Sequence, residues 1–220
     1  MNEAQFVIPL SSAASADVER VGPKAANLAA LTRAGLPTPG GFCLGADAYR
    51  RQIAELGMQD LVARYNAADD TERRRISVTV RLGLYEQPIA PAVLDPLLAA
   101  WRAQRAESGM PSAVRSSALI EDRKGANFAG QFESFLGIAD ETAFVTSVRA
   151  CWAALWTTNA RRYMENHDLS PADTAMAVLI QPLVDARASG GGLSETPEGQ
   201  MLLSATWGLG SAIAQGEVVP

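Results

Sequence analysis

Polar and apolar positions early in the chain follow a helical period, with apolar residues at Ala25, Leu28 and Leu31. Pro23 suits the first turn of a helix, and Gly35 is typical of the residue that follows a helix end. We therefore predict an extended opening up to about residue 21 and a helix over 22–35. A turn at residues 39–41 then leads into a short strand.

The next part of the chain is polar and strongly helical in pattern. Three helical stretches are predicted, over 46–66, 69–84 and 90–108. Gly57, Pro88 and Gly109 separate or end them, because glycine and proline interrupt regular helices. We expect these helices to provide packing and no chemistry.

The pattern changes after Pro111, where short apolar runs predict strands over 112–115 and 135–138. Asp140 is a plausible helix cap, and we predict one long helix from there to about residue 166. One face of this helix is predicted to be buried, namely Phe144, Val148, Cys151, Trp152 and Leu155.

The last part of the chain alternates strands and glycine-rich turns. A nearly continuous apolar strand is predicted over 175–184, a flexible turn over 189–192 and a further strand over 201–206. A tight turn at 207–210 is expected to precede a short helix. Helices and strands mixed in this order predict an α+β fold, and a boundary between two lobes is expected near residues 109–112.

Composition narrows the possible functions. The 220 residues are 48% hydrophobic, which is enough for a large core, and no apolar stretch approaches the length of a membrane span. With 19 Lys and Arg against 24 Asp and Glu, the net charge of −5 argues against nucleic-acid binding. Cys43 and Cys151 lie far apart in apolar contexts and are predicted to be reduced core residues. Without a secretion signal at the start, the expected setting is cytoplasmic.

Two cationic residues occupy positions suited to a phosphate group. Lys24 stands at a helix start, where unpaired N–H groups and the helix dipole favour an anion; a solvated surface lysine is the alternative. Arg115 ends a strand and is followed by two serines, so that three successive residues can donate hydrogen bonds to one anion. The alternative for Arg115 is a structural ion pair with Glu121 or Asp122.

Two further segments are candidates for ligand contact. The small residues Ala129 and Gly130 allow backbone N–H groups to approach a ligand closely, although an ordinary hairpin has the same pattern. Gln181 brings a polar amide into an apolar strand and therefore needs partners. An adenine edge or a backbone carbonyl could supply them.

These signals fall in the order and approximate spacing of one family. The chain resembles the ATP-binding domain of phosphoenolpyruvate synthases, pyruvate phosphate dikinases and rifampin phosphotransferases. The segments that carry the resemblance are 21–42, 113–118, 121–122, 127–136, 151–156, 176–184 and 207–210.

The resemblance implies an ATP-grasp fold with two lobes, 1–110 and 111–220, whose C-terminal part is missing from this chain. It implies that Lys24 and Arg115 contact the phosphates of ATP and act in catalysis. The loop from Gly130 to Ser134 would cover the triphosphate, and Gln181 with the backbone near Leu183 would face adenine. Mg²⁺ is the expected metal, but no ligand for it can be named in this sequence.

The family's reaction cleaves ATP to AMP and phosphate and passes the β-phosphoryl group, through a histidine on a separate domain or subunit, to a small-molecule acceptor. The expected acceptor is a small molecule such as pyruvate, rifampin or a phenol-like compound. His167 is the only histidine and stands in a polar helix end, so the phosphohistidine is expected elsewhere. The family often has glutamate where Ser204 and Ser211 stand, which points to a divergent branch. A non-catalytic nucleotide-binding or regulatory module is the alternative function.

Overall fold

The computed structural model describes residues 5–120, 132, 134–210 and 213. The helices are α1 (Val18–Arg33), α2 (Ala46–Glu55), α3 (Gln59–Arg64), α4 (Asp70–Glu86), α5 (Pro91–Ser108), α6 (Glu141–Ala154) and α7 (Thr158–Glu165). The strands are β1 (Val7–Pro9), β2 (Phe42–Leu44), β3 (Ser112–Ala118), β4 (Ser134–Ile138), β5 (Met176–Pro182), β6 (Ala188–Leu193) and β7 (Leu202–Trp207). This mixture of helices and antiparallel strands confirms the α+β class.

The first of two compact units ends at Leu183 and contains a five-stranded antiparallel sheet in the order β1-β2-β5-β3-β4. Strand β5 is central, because Leu179 is the register partner of both Cys43 in β2 and Arg115 in β3. The predicted lobe boundary between residues 110 and 111 falls inside this unit, between α5 and β3. The division into lobes 1–110 and 111–220 stays a prediction.

The sheet has two differently covered faces. Helix α1 packs on one face over a small apolar cluster that includes Cys43, Ala177 and Leu179. Helices α2, α4, α5 and α6 contribute to the larger core on the other face, which includes Val114, Val178 and Ile180. Strand residues alternate between these two clusters, as the two-residue period of a strand requires. Both cysteines are buried and free, as predicted.

The start of α1 corrects the predicted extended opening. A 3₁₀ turn spans Ala13–Ala16 and helical residues begin at Val18, because the Asp17 carboxylate accepts a hydrogen bond from the Glu19 N–H at 3.0 Å. The other end agrees with the prediction. Gly35 has a φ of +76°, and its N–H donates to the Thr32 carbonyl at 3.1 Å while Leu36 N–H bonds back to Leu31.

The predicted long helix after Asp140 is two helices. Asp140 caps α6 as expected, by accepting from the Ala143 N–H at 2.8 Å. The chain then breaks after Ala154, where the Thr157 hydroxyl donates to the Ala154 carbonyl at 2.9 Å and accepts from the Ala160 N–H at 3.3 Å. Thr157 therefore caps a new helix, α7. The predicted buried face of α6 is confirmed, since all five of its residues are buried.

The second unit begins at Val184, and its described part is a hairpin of β6 and β7. The flexible turn predicted at 189–192 is wrong, because these residues pair with β7 as part of a strand. A Cβ on Gly190 would lie 2.4 Å from the Ser204 carbonyl oxygen, so the glycine allows the strands to approach. The short helix predicted after residue 210 lies largely outside the described residues.

Among the described residues, no helix combines the length and apolarity that crossing a bilayer would require.

The larger core, on the face of the sheet that α2, α4, α5 and α6 cover, should contribute most to stability. Phe144 is fully buried and stacks on Trp101 at a centroid distance of 4.7 Å. We expect Phe144→Ala to lower the free energy of unfolding by about 3–5 kcal/mol, since it removes the ring and leaves a cavity. Leu82→Ala on α4, where the side chain is 40% exposed, is the control and should cost below about 0.5 kcal/mol. Urea unfolding followed by circular dichroism measures both, and equal losses would contradict this account.

Candidate functional site

The backbone at Gly22 brings the start of α1 against strand β3. Gly22 has φ +74° and ψ 162°, values that kink α1, so the longer part of this helix begins at Pro23. A Cβ at Gly22 would lie 2.4 Å from the Ser117 Oγ and 2.5 Å from the Ser117 carbonyl oxygen. Only glycine fits this contact, because it combines a positive φ with the absence of a side chain.

The carbonyl just before this kink is held by two donors. The Ser117 hydroxyl donates to the Val21 carbonyl at 2.8 Å, and the Cys43 thiol approaches the same oxygen at 3.5 Å. Burial raises the pKa of Cys43 far above its ordinary value, so this thiol stays protonated and is not a nucleophile. Cys43 and Ser117 therefore fix the position of the kink at Gly22 inside α1.

Lys24 lies one residue inside the helix start and reaches β3. Its ammonium group donates to the Ser116 carbonyl at 3.1 Å, and the side chain is half-buried. The first N–H groups of a helix have no partners within the helix, and the helix dipole places partial positive charge there. Lys24 thus adds a full positive charge beside a helix end that already favours anions.

Arg115 lies on the face of the sheet that α1 covers. Its register partner is Leu179, which belongs to the apolar cluster under α1, and directly paired residues share a face. The guanidinium is half-buried, and the residues that the structure describes offer it neither a hydrogen bond nor an ion pair. Glu121 and Asp122, its alternative partners, lie outside the described residues. The carbonyl of the neighbouring residue, Ser116, is the one that binds Lys24, so the Lys24 ammonium contacts the backbone one residue from Arg115.

Ser134 is the third predicted phosphate-site residue that reaches this place. It begins β4 as the register partner of Arg115, on the same face of the sheet, and is exposed. Gly130 lies outside the described residues. Ser134 is therefore a direct neighbour of Arg115 in the sheet, and Lys24 contacts the residue beside Arg115. The covering role of the loop from Gly130 to Ser134 stays a prediction.

Gln181 and Leu183 follow on the adjacent strand. Gln181 pairs with Ala113, which makes it a diagonal neighbour of Arg115, about 7–8 Å away on the same face. Its amide Nε2 donates to the Gly40 carbonyl at 3.1 Å, so a backbone carbonyl is one partner of this buried group. The Leu183 N–H donates to the Pro111 carbonyl at 2.8 Å. An adenine-binding role for either residue stays a prediction.

The prediction that Arg115 ends a strand and that Ser117 donates to an anion is wrong, because β3 continues to Ala118 and the Ser117 hydroxyl donates to the Val21 carbonyl. The contacts of Gly40 and Gly41 are not predicted from the sequence. Gly41 has a φ of +111°, and a Cβ there would lie 2.2 Å from the Ile180 carbonyl oxygen. The Gly40-Gly41 pair in front of a strand is a visible signal of close backbone approach, but by itself it predicts only a turn. Nothing local in the sequence marks Ser117 as the partner of Val21.

The chemistry of this group of residues suits an anion. Two cations, a helix start and hydroxyl groups are donors, which match phosphate oxygens. They do not match a metal ion, and the described residues contain no group of three or more His, Cys, Asp or Glu side chains close enough to bind one. The expected Mg²⁺ therefore has no ligand set in the described part of the chain.

Comparison with known proteins gives a consistent result. The family model described as "Pyruvate phosphate dikinase, AMP/ATP-binding domain" matches residues 18–220. The chain is 32% identical to a probable phosphoenolpyruvate synthase of Staphylothermus marinus, over 99% of this chain and 28% of that protein. It is 33% identical to the phosphoenolpyruvate synthase of Aeropyrum pernix (91% and 26% covered) and 32% identical to the prodigiosin synthesizing transferase PigC of Serratia marcescens (97% and 23% covered). The chain thus spans about a quarter of the length of these relatives.

The contact at Gly22 is testable through stability. Gly22→Ala should lower the free energy of unfolding by about 3 kcal/mol or more, since it adds backbone strain and an overlap with Ser117. Gly35→Ala is the matched control, because Gly35 also has a positive φ but a Cβ added there would meet no heavy atom within 4 Å. It should cost about 1 kcal/mol. Chemical denaturation compares the two variants, and similar losses would contradict the close contact.

Proposed function

Because the chain belongs to the family of pyruvate phosphate dikinase AMP/ATP-binding domains, we propose that Lys24 and Arg115 bind the phosphates of ATP for a dikinase-type phosphotransferase. The single observation that carries this proposal is the hydrogen bond from the Lys24 ammonium to the backbone carbonyl of Ser116, the residue next to Arg115. Arg115 itself makes no side-chain hydrogen bond or ion pair with the described residues.

Each cation contributes in a different way. The guanidinium of Arg115 offers a planar fork that matches two oxygens of one phosphate group. The ammonium of Lys24 is a compact point charge, positioned by its hydrogen bond to the Ser116 carbonyl. Phosphoryl transfer depends mainly on positioning and on neutralising charge on the phosphate oxygens, and both residues supply this.

The adenine end of the nucleotide would lie toward Gln181 and Leu183. Gln181 is a diagonal neighbour of Arg115 on the same sheet face, which is compatible with one ligand reaching both. Since the Leu183 N–H already donates to Pro111, its carbonyl oxygen is the group that would accept from the adenine amino group. Ser134, exposed beside Arg115, would contribute a hydroxyl over the triphosphate.

In the proposed reaction, ATP is cleaved to AMP and phosphate, and the β-phosphoryl group is passed to a histidine and then to a small-molecule acceptor. That histidine would belong to another domain or subunit. His167 lies at the end of α7, where its ring stacks on Tyr163 and its Nδ1 is 2.8 Å from the Tyr163 carbonyl. Pyruvate, rifampin or a phenol-like compound is the proposed acceptor. No step is assigned to Mg²⁺, for which the described residues offer no ligand set.

The proposal predicts a loss of nucleotide affinity in Arg115→Ala. Removing the guanidinium should weaken ATP binding by about 2 kcal/mol, or roughly 30-fold, because each charge-assisted hydrogen bond contributes about 1.5–3 kcal/mol. Folding should be intact, since Arg115 makes no hydrogen bond or ion pair with the described residues. Isothermal titration calorimetry measures the affinity. Arg51→Ala, which removes an exposed arginine paired with Glu55 on α2, is the control and should bind ATP normally.

Equal affinity in Arg115→Ala and Arg51→Ala would contradict the proposed phosphate site. A second measurement separates an enzyme from a regulatory module: AMP formation from ATP, with and without Mg²⁺, when a downstream segment is supplied. ATP binding without AMP production under all these conditions would favour the non-catalytic module.

A further inference from the structure

A second basic pocket lies between α4 and α7, in the helical layer on the other side of the sheet from α1. Its volume is about 280 Å³, near the lower end of the range for small-molecule sites. Four arginines line it, together with two hydroxyl residues: Arg74, Ser77, Arg81, Thr158, Arg161 and Arg162. None of these residues belongs to the proposed ATP site.

Helix α4 contributes one polar stripe to this pocket. Arg74, Ser77 and Arg81 are spaced by three and four residues, so they share one helix face. Their neighbours along the chain have other contacts. Arg73 donates to the Tyr65 and Asn66 carbonyls, and Arg75 pairs with Glu72 at 3.7 Å. Arg74 and Arg81, by contrast, have no hydrogen bond or ion pair through their side chains within the described ranges.

Helix α7 contributes a buried guanidinium. The side chain of Arg161 is only 7% exposed, although a guanidinium carries five N–H donors. It forms an ion pair with the Glu165 carboxylate, whose Oε1 lies 3.9 Å from Nη1, and the Tyr65 hydroxyl is a further polar neighbour. These two groups cannot occupy all five N–H donors, so the guanidinium keeps donors for a ligand in the pocket that it lines.

The first turn of α7 faces the same pocket. The Thr157 hydroxyl caps the Ala160 N–H, which leaves the N–H groups of Thr158 and Asn159 as unpaired donors of a helix start. Four arginines around one small pocket repel one another, and Glu165 pairs with only one of them, Arg161, within the described residues. A ligand with at least two negative charges would relieve this repulsion and use the buried donors.

We propose that this pocket binds a small phosphate-bearing anion at a site separate from the ATP site. A compact, multiply charged phosphate compound fits the pocket better than an extended acidic surface, because the most buried donor, Arg161, lies at its inner wall. Arg74, Arg81 and Arg162 are exposed and form its rim.

Pyrophosphate is a suitable probe, used with the whole chain carrying Lys24→Met and Arg115→Ala so that the proposed ATP site does not contribute. Calorimetry should detect pyrophosphate binding in this background. Adding Arg74→Gln and Arg81→Gln should weaken it by about tenfold or more for each arginine. The control is Arg75→Gln, an arginine on the same helix that does not line the pocket, and it should leave the affinity unchanged. In ¹H–¹⁵N spectra the amide signals of Thr158 and Arg162 should shift during the titration.

The rim arginines are exposed, so these variants should fold, and melting curves check this. Unchanged pyrophosphate affinity in the Arg74→Gln, Arg81→Gln variant would overturn the proposal. An equal loss of pyrophosphate affinity in Arg75→Gln would overturn it too, because binding would then depend only on the overall positive charge of the helix and not on the pocket. Binding of a glutamate-rich peptide without any binding of pyrophosphate would also overturn it and would indicate a protein partner. The effect of Arg115→Ala on ATP binding tests the proposed ATP site alone. Its result does not change what the pyrophosphate titration shows about the arginine pocket.

Discussion

The contact between the backbone at Gly22 and strand β3 is the constraint on which the proposed ATP site depends. It fixes the kink in α1, because Ser117 and Cys43 both contact the Val21 carbonyl and no side chain fits at Gly22. Lys24 follows two residues later and therefore reaches the carbonyl beside Arg115. Lys24 and Arg115 stand 91 positions apart in the sequence, and a contact that involves neither of them brings Lys24 to the residue beside Arg115.

Much of the fold could be predicted from periodicity and capping residues. The C-terminal ends of α1 and α5, the strands β2, β4 and β5 and the buried face of α6 follow from local signals that the tertiary structure preserves. The errors arise where a local signal competes with a longer-range one. Thr157 breaks an apolar pattern that otherwise continues from α6 into α7, and Gly190 belongs to a strand only because β7 pairs with it.

The sequence indicates which residues belong to the candidate site, but it does not indicate how they are arranged in space. Lys24 and Arg115 can be identified because their motifs occur in a familiar order, but only the register of β3 with β5 places Arg115 under α1. The amide of Gln181 meets a carbonyl from a distant turn, which no local pattern indicates. The arginine pocket escapes sequence reasoning for a related reason: its two halves come from α4 and α7, and each alone looks like a solvated helix face.

The central position of β5 has a consequence for biosynthesis. Strands β2 and β3 do not pair with each other; each pairs with β5, which is the last strand of the sheet to be made. During translation, the earlier strands therefore wait for residues 176–182 to leave the ribosome before the sheet can close. The nascent chain must keep its apolar strand residues from premature association until then, as is general for folds dominated by pairing between distant segments.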